Sequence, residues 1–205
     1  SVSSAITASG EAWTVYAIPS DGALIGSAGM ATVSIQNTAP EVTATLSATT
    51  ATTQDDVSVS ATGTDADGDD VSFSYSWMVN NQPAEGLGAT LPAERTQKGD
   101  NWTVEVTPND GTADGSSVSL SITIENSAPS LTGASINDSA PTESSELHCI
   151  AQGWSDADGD SEMTNTEWYV NGSLVSTSDV LTGSDFSKGD DVYCVLTPSD
   201  DTDTG

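Results

Sequence analysis

The stretch Lys98-Gly99-Asp100-Asn101-Trp102-Thr103-Val104-Glu105-Val106-Thr107-Pro108 returns as Lys188-Gly189-Asp190-Asp191-Val192-Tyr193-Cys194-Val195-Leu196-Thr197-Pro198, a period of about ninety residues. Within the first copy Trp102, Val104 and Val106 alternate with polar residues, as a half-buried β-strand requires. A fainter copy, Gly10-Glu11-Ala12-Trp13-Thr14-Val15-Tyr16, lies near the N-terminus, so the chain holds pieces of three repeats of one β unit.

Outward from that stretch the same period of two continues. Val57, Val59 and Ala61 alternate with Ser58, Ser60 and Thr62, and Val71, Phe73, Tyr75 and Trp77 alternate with serines. After the turn Pro108-Asn109-Asp110-Gly111 come Val118, Leu120, Ile122 and Ile124, again with polar residues between. Helical periodicity is almost absent. Short alternating runs separated by Gly, Asp, Asn and Pro turns predict an all-β chain of antiparallel sandwiches. Strand A is expected near 42–48, B near 56–62, C near 71–79, E near 88–91, F near 101–107 and G near 116–125.

Asn37-Thr38-Ala39-Pro40 and Asn126-Ser127-Ala128-Pro129 fall at equivalent places, after one strand G and before the next strand A. Proline there breaks strand pairing, which makes these segments short joints. The expected division is 1–38 for the last strands of one unit, 39–127 for a complete unit, and 128–205 for a unit without its last strand. Two readings account for the cut units: a window from a longer array, or an open sheet edge that an extended segment of another chain completes.

Composition narrows the partners. With 31 acidic and 3 basic residues the net charge is −28, which repels phosphate backbones and anionic lipid surfaces. Nucleic acid is excluded on that ground, and no apolar run approaches the roughly 20 residues of a membrane span. So large a carboxylate excess favours a saline or divalent-rich exterior, extracellular or at the cell surface.

Aligning the copies puts Cys149 on Val59 and Cys194 on Val104, offset by 90 residues in both cases. The two thiols therefore take the places of a buried contact between strands B and F. They form either a disulfide, which an oxidising exterior would support, or a pair of reduced core thiols. Trp168 matches Trp77 on strand C.

In Asp65-Ala66-Asp67-Gly68-Asp69 followed by Tyr75-Ser76-Trp77, and in Asp156-Ala157-Asp158-Gly159-Asp160 with Trp168, the chain resembles the immunoglobulin-like repeats of bacterial and archaeal surface proteins, including cadherin-like and PKD-like modules. The resemblance covers essentially the whole chain. It implies tandem immunoglobulin-like sandwiches, with an indole packed on a Cys149–Cys194 bridge. Such modules serve adhesins, fibres and hydrolases alike, so the resemblance carries fold further than function.

Asp65, Asp67 and Asp69 are spaced i, i+2, i+4, as are Asp156, Asp158 and Asp160. Carboxylates so spaced in a tight turn converge on one hard cation, and Asp110 and Asp200 in the F–G turns are expected to add oxygens. Ca2+ suits such a set because it accepts six to eight oxygen ligands in loose geometry. The competing reading is a solvated turn, since turns favour Asp and Gly for their own reasons.

Asn101, Asn137 and Asn171 begin glycosylation sequons of little weight in a Ser/Thr-rich chain. His148, the one histidine, is expected on an exposed strand position and builds no catalytic triad or metal cluster. Lys98 and Lys188 occupy the same E–F turn and are expected to pair with local acid. Trp13 and Trp102 are expected in cores, and Trp154 at the surface. The expected function is non-catalytic: a stalk or fibre of repeats, stiffened by Ca2+, whose partners are adjacent repeats or other copies. The alternative is an adhesin or carbohydrate-binding accessory module that holds a surface ligand or glycan.

Overall fold

The fold is taken from a computed structural model that describes residues 3 and 6–205; residues 1, 2, 4 and 5, at the start of the first expected segment, lie outside the described residues. Among the described residues the longer elements are sixteen strands, numbered here in chain order, and a 3-10 turn at Ala93–Arg95. Contacts group the chain into two compact units, 1–49 with 57–91 and 102–122, and 50–56 with 92–101 and 123–205.

In the first unit β1 (Ala12–Ala17) and β2 (Gly29–Ser34) form an antiparallel hairpin that sets Trp13 opposite Val33. The expectation that Trp13 lies in a core fails. Among the described residues no strand covers this hairpin, and the indole is half-exposed and donates through Nε1 to Glu11 Oε2.

Beyond the joint, β3 (Glu41–Leu46), β5 (Val57–Thr64) and β8 (Thr90–Leu91) form one antiparallel sheet. A second sheet runs in the order β4 (Ala51–Thr52), β10 (Val118–Glu125), β9 (Asn101–Asn109), β6 (Ser72–Val79), β7 (Gln82–Ala84). The alternation works as read: on β9, Trp102, Val104 and Val106 are buried while Asn101 and Glu105 face water. Trp77 meets Trp102 edge to face, with ring centroids 6.1 Å apart, and donates through Nε1 to the carbonyl of Gly88. Both indoles are buried, and such an aromatic pair adds about 0.5–1.5 kcal/mol beyond the area it hides.

In the second unit β11 (Gly133–Ile136), β12 (Glu146–Gln152) and β15 (Val180–Thr182) make one sheet. The facing sheet is β14 (Ser173–Ser176), β13 (Met163–Val170) and β16 (Val192–Ser199). Between them Leu147, Trp168, Val170, Leu181 and Phe186 form the core, with Ile136, Cys149, Val192 and Cys194 packed against it. Cys149 on β12 and Cys194 on β16 are joined as a disulfide, their Cα atoms 6.2 Å apart. Trp168 sits opposite Cys194 in the β13–β16 register, so the indole lies beside the bridge. His148 is exposed as expected, whereas Trp154 is half-buried rather than fully at the surface.

Candidate functional site at the repeat joints

Each joint is an Asn-x-Ala-Pro segment against which two acidic turns fold. In the second unit the backbone N–H of Ser127 donates to Asp158 Oδ2 at 2.7 Å. Thr53 Oγ1 donates to Asp158 Oδ1 and lies 2.8 Å from Ser127 Oγ, whose proton is free to close that bond. Both protons of Asn126 Nδ2 are used, on Asp200 Oδ2 and Asp203 Oδ2, each at 2.9 Å. Lys98 Nζ reaches Asp160 Oδ2 at 2.6 Å as an ion pair.

The first unit repeats the pattern. Thr38 N–H donates to Asp67 Oδ2 at 2.7 Å, and Asn37 Nδ2 donates to Asp110 Oδ2 at 2.8 Å. Here Asn37 Oδ1 accepts from Ser9 Oγ. The sequence motif contained these asparagines, but their aspartate partners, 73 and 74 residues away, it did not reveal.

Within each acidic turn the first aspartate organises the rest. Asp156 Oδ1 accepts the backbone N–H groups of Asp158 and Asp160, and Asp65 Oδ1 accepts those of Asp67 and Asp69. Gly68 and Gly159 adopt φ of 85° and 77°, a left-handed turn that other residues rarely tolerate. One carboxylate oxygen from each of Asp65, Asp67 and Asp69 lies within 4.8 Å of the others, and the same holds for Asp156, Asp158 and Asp160.

Asp110 and Asp200 stand apart from these triplets. Each caps its own F–G turn through Oδ1 and receives the joint asparagine through Oδ2. The Asn126 amide, then the N–H groups of Asp203 and Thr202 and the charge of Lys98, hold Asp200 below the usual carboxylate range. The Asn37 amide and the N–H groups of Ala113 and Thr112 do the same for Asp110. Lys98 is raised, first by its hydrogen bond to Asp160 and then by the charges of Asp160, Asp200 and Asp158. Lys98 thus pairs with an aspartate 62 residues away rather than with acid of its own turn.

What these turns lack is informative. Asp65 Oδ2, Asp156 Oδ2 and Asn126 Oδ1 are buried acceptors that no donor reaches. Leaving such an oxygen unsatisfied costs about 1–3 kcal/mol, more when it carries charge. Asp65 and Asp156 thus each hold one unsatisfied carboxylate oxygen beside two further carboxylates, an all-oxygen arrangement that fits a hard divalent cation such as Ca2+.

Of the three sequon asparagines, Asn137 and Asn171 have their amides engaged, with the carbonyl of Glu146 and with Asp190 Oδ1. Asn101 opens β9 on an exposed position.

The B–F bridge between facing sheets, with an indole on strand C beside it, decides the architecture. The fold is immunoglobulin-like. No family model and no curated protein matches this immunoglobulin-like chain. Among solved structures it is similar to the FN1–FN3 domains of chicken CNTN1, at 8% identity and a TM-score of 0.33, over 96% of this chain and 75% of that one.

Proposed function

We propose that this chain is a non-catalytic segment of an extracellular surface or filament protein, in which immunoglobulin-like repeats are joined end to end and Ca2+ stiffens the joints. The observation that supports this reading most is the same joint built twice: asparagine on the F–G aspartate, backbone N–H on the middle aspartate of the acidic turn, and a buried carboxylate oxygen left without a donor. When bound, the ion would supply positive charge among carboxylates that otherwise repel. Asp156, Asp158 and Asp160 would hold it at one joint and Asp65, Asp67 and Asp69 at the other. The test is calorimetric titration of the full chain with Ca2+, alongside electron microscopy of native material before and after EDTA. Binding in the range of about 10⁻⁴–10⁻³ M, as in other extracellular modules, and filaments that loosen on chelation are the expected results. Absence of binding heat together with particles indifferent to EDTA would sink the role of Ca2+.

The same reading gives β16 a partner. In the middle repeat β9 lies between β6 and β10, whereas among the described strands β16 is hydrogen-bonded to β13 alone. The open side of β16 borders a cavity of about 400 Å3 lined by 129–134, Leu196, Pro198 and Gly205. Gly205 donates its N–H to Pro198 as Gly115 does to Pro108, so the chain leaves β16 on the path that leads into β10 in the middle repeat. A strand with the pattern of Val118–Glu125, from this chain or a neighbour, is the proposed cover. A synthetic peptide of residues 116–125 is expected to raise the melting temperature of the full chain, by up to about 2.7 kcal/mol of stabilisation at a hundredfold excess over Kd. A peptide with Leu120 and Ile122 replaced by serine is expected to do nothing, and equal effects from the two would refute strand addition.

The glycan-binding alternative has less support. Tyr169 and Tyr193 on the outer face stack on each other at 4.9 Å rather than lie side by side as a platform for a sugar.

A further inference from the structure

The end of the third repeat carries a surface that the site above does not use. Pro141, Thr142 and Glu143, with residues 186–192, line a cavity of about 590 Å3. Shifted by the 90-residue period, Glu143 stands where Thr53 stands and Lys188 where Lys98 stands. Those earlier residues already have an occupant. Thr53, Thr96, Gln97 and Lys98 line a cavity of about 550 Å3 with Ala157 and Asp158, and into that end of the middle repeat the acidic turn delivers Asp158 to Thr53 and Asp160 to Lys98.

We propose that the Lys188 end of the third repeat is a socket for the Asp-x-Asp-Gly-Asp turn of another repeat of this kind, with Lys188 Nζ taking the third aspartate of that turn. The inference rests on the array reading and names the partner of its next joint. Charge argues the same way: Lys188 is one of three cations in a chain of net charge −28, it is exposed, and it makes no ion pair among the described residues. Glu143, which replaces Thr53, offers a carboxylate where the earlier socket offers a hydroxyl donor, so the middle aspartate of the turn has no counterpart of its Thr53 contact here and Lys188 carries the recognition. Glu143 Oε1 is held by the backbone N–H of Lys188 at 3.0 Å. Phe186, in the place of Thr96, is buried and gives the floor of the cavity an apolar patch that the earlier socket lacks. The incoming turn is therefore expected to be read by its carboxylates and by the glycine that lets it bend.

The test uses the full chain labelled with 15N, in EDTA so that Ca2+ plays no part. The probe is a disulfide-cyclised peptide carrying Ser155–Met163. Amide shifts confined to 142–143 and 186–191, saturating in the millimolar range, are the expected result. Lys188→Glu should weaken the binding by about three- to fivefold, with the remaining amide spectrum unchanged, and Lys98→Glu should not affect it. A peptide with asparagine at its three aspartate positions should leave the spectrum still. No shifts up to about 10 mM, shifts that survive Lys188→Glu, or equal binding of the asparagine peptide would each overturn the socket. None of these outcomes touches the array reading, which the Ca2+ titration and microscopy test separately.

Discussion

Trp168→Ala is expected to cost the third repeat about 3–5 kcal/mol, the range for truncating a buried tryptophan. The side chain is fully buried among Leu147, Leu181 and Phe186, and its Nε1 donates to the carbonyl of Ser178 at 3.1 Å. Removal empties a core that holds five buried residues and leaves the Ser178 carbonyl without its donor. Domains of this kind have about 5–15 kcal/mol in total, so the repeat should lose most of its margin. Urea unfolding followed by tryptophan fluorescence and near-ultraviolet circular dichroism is the measurement. Trp168→Phe is expected to lose much less, because a ring still fills the space. A loss under about 1 kcal/mol for Trp168→Ala would mean that the indole is not the keystone of this core.

Breaking the Cys149–Cys194 bridge is the second large effect. It closes a loop of 45 residues, and the chain-entropy model assigns such a closure about 4 kcal/mol. Reduction should therefore move the urea midpoint of the third repeat strongly while the middle repeat, which has no cysteine, unfolds where it did before. The double replacement Cys149→Val with Cys194→Val is expected to recover part of the loss, since Val59 and Val104 hold the equivalent places and are both buried. The effects of Trp168→Ala and of reduction should fall short of additivity, because Trp168 and Cys194 are paired across β13 and β16. Equal midpoints with and without reductant would show that the bridge constrains nothing.

Strands B, C, F and G could be read from the sequence because each has one wet and one dry face, and period-two alternation records that directly. The B–F cysteines followed from the same register. The short strands left no such trace: β4 is two residues paired in parallel with the end of β10, and β7 and β14 are edge strands with one protein neighbour each. A signal for the last two was nonetheless present. Asn80 and Asn81, and Asn171 before Gly172, take positive φ in the tight turns that launch them, and Asn-Asn or Asn-Gly between apolar runs is the mark of such a hairpin. At the joints, the acidic triplets were visible as a spacing. Their donors were not, because Lys98 lies 62 residues from Asp160 and Thr53 lies 105 from Asp158. Contacts of that range leave no mark in local periodicity. Trp13 shows the converse limit: its pattern matched a core position, but among the described residues its two-stranded hairpin has no opposite sheet to bury it.

The bridge between β12 and β16 also sets the contour length that the third repeat can release. A polypeptide drawn out spans about 3.3–3.6 Å per residue, so the 45-residue separation it closes represents about 150–160 Å of slack that a pulling force cannot reach while the bond holds. Once the sandwich opens, only the segments on either side of the loop pay out. The middle repeat, closed by valines at the same two positions, has no such stop and would unravel end to end. Along one chain, neighbouring repeats are thus a yielding element and a short-travel one, and the redox state of the surroundings decides whether they differ.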